Sequence, residues 1–452
     1  MSSHRPLLII GMLLSALVAL GANYELIFDP AAREKWADSP DSVAITKEGL
    51  AADAGKVASW WYGPWIEGEM YYRPLSSMFM WLEARLFGWN FLPYNLISWF
   101  IQAGIAALVF LLLFRVCPGP EWQRALSGLV AAGCFVGGHH PPGPDGLWIR
   151  ARVTWGVMPW WPVQTDICSL FMSLLSLILL DRWLVADGRG QGTAPADGEE
   201  VEGAGRIGFG SRLPTGALVC FLAAILFKET PLTLIFMVPL FGLYRGRPWL
   251  RYTLAYAALG VLLLVIRAIA VPGASNPEWL GGATFYKYLL FVHLETANLL
   301  VAGEIWHWVT VITLIPLVLL LRRTKLDPLY IVLICLVWPL VCAGVVAGNP
   351  MLATVGRDLG ILGRLLLVYA GFALALLTWP RQPALLFVTC LFIVALPNIN
   401  RIGPHYWYWP VAFWGLADGA VLSAAVSALR DWRQCRVRRV TSVPEPVEAP
   451  TP

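Results

Sequence analysis

The chain has 452 residues, 58% of them hydrophobic and only 14% charged, with a net charge of +4. That balance leaves too little polar surface for a soluble globular protein. The small basic excess sits beside apolar runs rather than along one stripe, which argues against a nucleic-acid-binding protein.

The mean hydropathy is +0.63. Apolar runs of about 18 residues or more recur from end to end, so lipid is the natural solvent. The first run, Leu7 to Ala22, follows His4-Arg5 and ends in small residues. Alone it has the outline of a signal peptide, but the many later runs favour a retained first helix.

Basic clusters at Arg115/Arg124, Arg182/Arg189, Arg206/Arg212, Arg245/Arg247/Arg251, Arg322/Arg323/Lys325, Arg381 and Arg430 to Arg439 set the orientation if all face the cytoplasm. About twelve spans then fit between them, with both termini inside. They are predicted at 6–23, 94–115, 124–138, 165–185, 213–228, 230–245, 251–270, 304–322, 328–348, 360–379, 382–397 and 408–428. The 213–228 and 230–245 runs are short for a bilayer and tightly joined.

The fold class expected is therefore an all-α, polytopic transmembrane helical bundle. Its outer segments are 24–93, 139–164, 271–303, 349–359 and 398–407. Within the first, Leu75 to Phe87 reads as an amphipathic helix on the membrane surface. The chain divides into an N-terminal membrane region (1–185) holding the first two outer loops, a linker (186–212), a C-terminal membrane region (213–430) and a tail (431–452). The linker is Gly-rich and acidic from Asp187 to Ser211; the tail after Arg439 is Pro-rich and expected to be disordered. No repeat of fixed period is present.

Eight Cys residues include no CxxC pair, so neither a disulfide framework nor a thiolate metal site is expected. Many of the 23 Trp residues cluster just outside the spans, as at Trp60-Trp61, Trp160-Trp161 and Trp407-Tyr408-Trp409, as an interfacial aromatic belt or as sugar-stacking platforms.

Ionisable residues near span ends are the informative ones, because charge near the lipid core is costly. Glu25 and Asp29 follow the first span; they are either solvated loop carboxylates or catalytic acids. Asp166 heads the fourth span, where a first-turn acid is also favoured by the helix dipole. Lys228-Glu229 lies between two apolar runs, as a structural ion pair or as part of a site. Arg267 either snorkels or meets an anion, and Arg357, Asp358 and Arg364 surround the start of the tenth span. Together these groups suit a lipid-phosphate donor. Guanidinium groups hold a phosphate by paired charge-assisted hydrogen bonds, and a carboxylate takes the acceptor's proton as it attacks an anomeric carbon. His139-His140 can both reach a metal from their Pro-rich loop, but no third and fourth ligand stands at a telling spacing.

Several segments resemble membrane glycosyltransferases of the GT-C superfamily, the group of protein O-mannosyltransferases and their bacterial relatives. Tyr72-Arg73-Pro74-Leu75, then Phe87-Gly88 and Pro93-Tyr94-Asn95-Leu96, resemble the signature leading from the first outer loop into the second span. His140-Pro141 resembles the family's turn after the third span, and Gln164-Thr165-Asp166 stands where relatives carry an acid. Phe227-Lys228-Glu229-Thr230, Arg267 and Arg364 followed by Leu365-Leu366-Leu367-Val368-Tyr369 resemble later elements.

The resemblance implies a polyprenyl-phosphate sugar donor, a protein, glycan or lipid acceptor and an outer-face site at a bacterial-type inner membrane. It implies Asp29 as base with Glu25 in reserve, Asp166 in support, and Arg267 and Arg364 as phosphate partners. Arg73 would order the first loop against the bundle, and His140, Lys228, Glu229 and Arg357 would line the substrate. No cofactor is required by these residues. Relatives often carry two adjacent acids after the first span; here Leu26-Ile27-Phe28 separates Glu25 from Asp29. Two competing readings are a transporter or flippase of a lipid-linked sugar, and a non-catalytic scaffold of the same fold.

Overall fold

The computed structural model describes residues 5–28, 30, 39–65, 72–137, 161–189, 213–271, 383–395 and 408–441. Among these the protein is all-helical. In chain order the helices are α1 (Arg5–Phe28), α2 (Pro40–Ala51), α3 (Ala54–Ser59), α4 (Pro74–Phe87), α5 (Phe91–Val116), α6 (Glu121–Gly137), α7 (Gln164–Arg189), α8 (Thr215–Phe227), α9 (Leu234–Arg245), α10 (Leu250–Ala270), α11 (Pro383–Ala395) and α12 (Tyr408–Thr441). Short 3-10 turns precede α7 (Trp161–Val163) and α9 (Thr230–Thr233).

Four of these helices contain segments long and apolar enough to cross a membrane: Phe91–Val116, Gln164–Ala186, Leu250–Ala270 and Trp409–Ser427. Pro6–Ala22, Thr215–Phe227 and Thr230–Arg245 are apolar but shorter. At about 1.5 Å per residue, the 13 residues of α8 reach only about 20 Å, less than the roughly 30 Å of a hydrocarbon core. The predicted spans 304–322, 328–348 and 360–379 lie outside the described residues.

Local chemistry sets the helix ends. Ser39 caps α2 by accepting from the Ser42 N–H, with Pro40 at the first position. Asn90 caps α5 through the Leu92 N–H at 3.3 Å. Gly246 ends α9 in the left-handed region at φ 64°, a conformation that costs glycine little. Three helices outrun the sequence expectation, the first of them α1, which runs to Phe28 rather than 23 and takes Glu25 into the helix. Helix α7 continues to Arg189, into the expected linker, and α12 continues to Thr441, well into the expected tail. Polar residues past a lipid-facing stretch still make good helices, and in α12 the Leu429 to Val440 stretch contains no Gly or Pro to break it.

The bundle alternates in direction. Helix α1 runs antiparallel to α5: a Cβ on Gly11 would strike the Phe110 ring, while Trp99 Nε1 donates to the Leu20 carbonyl at 3.0 Å. Helix α6 returns along α5, where Arg124 Nε donates to the Phe114 carbonyl. Gly415 and Gly419 let α12 press on the α6 backbone at Ala131 and Ser127, and Gln123 Nε2 reaches the Ser423 carbonyl. Helices α5, α7, α9 and α12 therefore run from one end of the bundle, marked by Lys228, to the other, marked by Asp181. Helices α1, α6, α8 and α10 run back. The start of α1 and the end of α12 share the Asp181 end.

The interior is apolar, with Phe135, Leu170, Leu177, Phe221, Met237, Phe241 and Trp409 among its buried residues. The outer faces of α1 and α10 are apolar too. Leu13, Leu17, Val261, Leu262 and Ile269 are all exposed, an arrangement that lipid tolerates and water does not. Helix α4 keeps Leu82 and Leu86 exposed, as a surface helix does, but it buries Ser76, Ser77, Met80, Glu83 and Ala84 against its neighbours.

Candidate functional site

At one end of the bundle, four elements bring together five of the charged residues singled out in the sequence. The break between α8 and α9 creates the centre. Pro231 lacks the N–H that would bond the Phe227 carbonyl in a continuing helix, so α8 stops at Phe227. Lys228 is then extended (φ −160°, ψ 158°), whereas Glu229 is helical. That change of backbone sends the two adjacent side chains to different partners.

Lys228 Nζ meets Asp166 Oδ1, in the first turn of α7, at 2.5 Å. Only 9% and 5% of these side chains are exposed. Glu229 instead meets Arg73, the residue that precedes α4, through Nη2 at 3.1 Å and Nε at 3.3 Å. Arg267, in the last turn of α10, approaches the other oxygen of Glu229 at 3.6 Å. The sequence reading paired Lys228 with Glu229; the structure pairs each with a different helix.

The surrounding contacts fix α4 in place. Ser76 Oγ donates to the Phe227 carbonyl at 2.7 Å, and Phe79 packs edge-on against Phe227 at 6.2 Å. Tyr72 donates to the Trp61 carbonyl at 3.0 Å and packs with Ala270 and Val271. The Tyr72-Arg73-Pro74 segment thus joins the turn at Trp61 to the α8–α9 break and the end of α10.

Among the described residues the printed ion pairs join three cations, Arg73, Lys228 and Arg267, to two carboxylates, Asp166 and Glu229. Burial pushes the Lys228 ammonium below its ordinary range, with Asp166 opposing that shift. Burial alone would raise Glu229, but the Arg73 and Arg267 guanidiniums outweigh it and hold the carboxyl at about 2. The Arg267–Glu229 contact is an ion pair without a hydrogen bond. Arg267 Nε and Glu229 Oε1 are both buried and make no hydrogen bond. A strong donor is left uncommitted beside two further cations, which is an arrangement suited to an oxyanion.

A second carboxylate is buried near the same end. Gln164 Nε2 donates to Glu83 Oε1 at 3.0 Å and to the Tyr94 carbonyl at 3.1 Å. Glu83 is only 2% exposed although its helix reads in the sequence as a membrane-surface helix. The signal available in the sequence is its setting, an acid between Met80-Trp81-Leu82 and Ala84.

The remaining candidates are placed as follows. Glu25 lies in the last turn of α1, which runs toward the Lys228 end. Asp29, His140, Arg357 and Arg364 lie outside the described residues. Among the described residues no group of three or more His, Cys, Asp or Glu side chains is placed to hold a metal.

These features define an all-helical protein with apolar helices of membrane-crossing length and an ionic cluster buried at one end of its bundle. Comparison with protein-family models, with curated proteins and with solved structures returns no match.

Proposed function

We propose that the chain is a membrane glycosyltransferase of the GT-C kind. It moves a sugar from a polyprenyl-phosphate donor to an acceptor at the outer face of a bacterial-type inner membrane. The observation that carries this reading is the Arg267 Nε, buried and without a hydrogen bond among the described residues, beside the guanidinium of Arg73 and the ammonium of Lys228.

In this reading the donor phosphate binds Arg267 and Lys228, with Arg364 as a further partner. Arg73 holds α4 and Glu229 in register. The acceptor oxygen attacks the anomeric carbon, the bond from that carbon to the phosphate oxygen breaks, and its electron pair leaves on the polyprenyl phosphate. The acceptor's proton passes to a carboxylate, Asp29 or Glu25, with Asp166 supporting. The leaving group is already a stable anion, so the cluster's work is to stabilise the charge that gathers on it. The exposed apolar face of α4 supports a lipid-bound substrate, because it offers a surface beside the cluster for a prenyl chain.

The test is transfer from a panel of radiolabelled polyprenyl-phosphate sugars in vesicles containing the purified chain. Wild type is expected to transfer, Arg267→Gln to lose at least about tenfold in rate, and Asp29→Asn to lose most of it. Movement of labelled lipid across the bilayer without transfer would instead establish a flippase.

A further inference from the structure

The opposite end of the bundle carries a second built arrangement of charge. Asp181, in the penultimate turns of α7, is fully buried. Its two oxygens are shared between guanidiniums from two other helices. Arg115 Nε, at the end of α5, meets Oδ2 at 3.3 Å. Arg245, at the end of α9, meets Oδ1 through Nε at 2.7 Å and Nη2 at 2.5 Å. Arg245 Nη2 also donates to the Arg115 carbonyl at 3.2 Å. One carboxylate therefore fixes two arginines side by side and leaves their pair at net +1.

Neither guanidinium is used up. The Arg115 bonds engage only Nε, and the Arg245 bonds leave Nη1. The side chains are 29% and 20% exposed, whereas the Asp181 carboxylate between them is fully buried. Arg124 stands close by, its guanidinium 4.2 Å over the Phe114 ring, and Arg182 is exposed one residue beyond Asp181. Arg247 and Arg251 follow the end of α9. Large apolar side chains are exposed among these arginines: Trp122, Leu243 and Leu250. Cation and exposed hydrocarbon together are the two halves of a phospholipid's chemistry, whereas a free anion needs only the first.

We propose that Arg115 and Arg245, positioned by Asp181, bind the phosphate of an anionic phospholipid at this end of the bundle. The site lies a full helix length from the Lys228 cluster and does not depend on what that cluster does. Asp181 acts as a positioning residue. It holds two planar forks where one phosphate accepts from both, and an Asn in its place would keep the shape but release them.

The experiment reconstitutes the full chain in nanodiscs of phosphatidylcholine alone or with added phosphatidylglycerol, followed by native mass spectrometry and thermal melting. Wild type is expected to retain phosphatidylglycerol over phosphatidylcholine and to melt higher in its presence. Arg115→Gln, which leaves the Arg245–Asp181 contact in place, is expected to weaken that retention about tenfold. Asp181→Asn should do the same, while Arg182→Gln, outside the paired forks, should change it by less than about twofold. Equal retention of both lipids by wild type would overturn the proposal, as would unchanged preference in Arg115→Gln. Inorganic phosphate in phosphatidylcholine nanodiscs is the remaining arm. If it protects as well as phosphatidylglycerol does, the site takes a free anion and the lipid assignment falls.

Discussion

Lys228 and Asp166 form a 2.5 Å ion pair across the interface of α7 with the α8–α9 break, both side chains almost wholly shielded from solvent. Two such charges are tolerable only together, since removing one strands the other in a low-dielectric interior. Lys228→Met is therefore expected to destabilise the protein by about 3–5 kcal/mol. The double variant Lys228→Met/Asp166→Leu should recover at least half of that loss, because it also removes the carboxylate that Lys228→Met strands. Chemical unfolding in detergent compares the three proteins. A double variant as unstable as the single one would mean that the pair is not an isolated unit.

Glu229 provides a pH signature. Arg73 and Arg267 hold its carboxyl at about 2, below the 4.5 expected of an unfolded chain. A lowered acid contributes stability that is fully present above the unfolded value and is lost as pH falls through the folded one. The melting temperature of wild type should thus exceed that of Glu229→Gln by a constant margin from pH 8 to about 5. Between about 4.5 and 2 the margin should shrink toward zero, because a protonated Glu resembles Gln. Scanning fluorimetry over a pH series reads this directly. A margin that persists undiminished at pH 2 would show that the stabilisation does not come from ionised Glu229.

The helices were largely legible because an apolar run and its caps are local facts. The run expected at 94–115 forms Phe91–Val116, and that at 251–270 forms Leu250–Ala270. The cluster residues Asp166, Lys228, Glu229 and Arg267 stood out for a related reason, since charge is conspicuous beside lipid-facing sequence, whereas Arg73 stood out only through the Tyr72-Arg73-Pro74-Leu75 resemblance. Their pairing was not legible. Which helix supplies the partner depends on contacts across 62 positions for Lys228–Asp166 and 156 for Arg73–Glu229. Glu83 and Asp181 show the same limit. Each sits where pattern alone assigns a solvated charge, Asp181 beside Arg182 in a basic cluster, yet packing turns both inward.

Arg73 and Arg267 share Glu229 but differ in what they do with it, and this separates their variants. Arg73 makes two hydrogen bonds to the carboxylate at 3.1 and 3.3 Å, so Arg73→Gln should cost stability, about 1–3 kcal/mol. Arg267 makes none, so Arg267→Gln should cost less stability than Arg73→Gln, losing only its share of the charge that keeps Glu229 ionised. On the proposed function its loss falls instead on transfer, through weaker binding of the leaving phosphate. Melting and transfer assayed on the same two variants check this. A melting loss in Arg267→Gln as large as that in Arg73→Gln would make Arg267 a structural residue.

Helix α5 carries a costly polar stripe. Asn95, Ser98 and Gln102 recur at helical spacing, and all are buried. Asn95 Nδ2, Ser98 Oγ and both polar atoms of the Gln102 amide make no hydrogen bond. Leu113, three turns beyond Gln102 on the same face, meets Gly419 of α12. Trp409 therefore stands near the level of Gln102, since both helices run the same way at about 1.5 Å per residue. Its Nε1 is buried and without a partner too. An unpaired amide in an apolar interior costs about 1–3 kcal/mol, so Gln102→Met, which keeps the length and removes the amide, should raise the unfolding midpoint in detergent. A lowered midpoint would mean that these groups already share bound water or a polar ligand in the folded protein. Gln102→Glu should then be tolerated, whereas in a dry interior it destabilises more than any other substitution at this position.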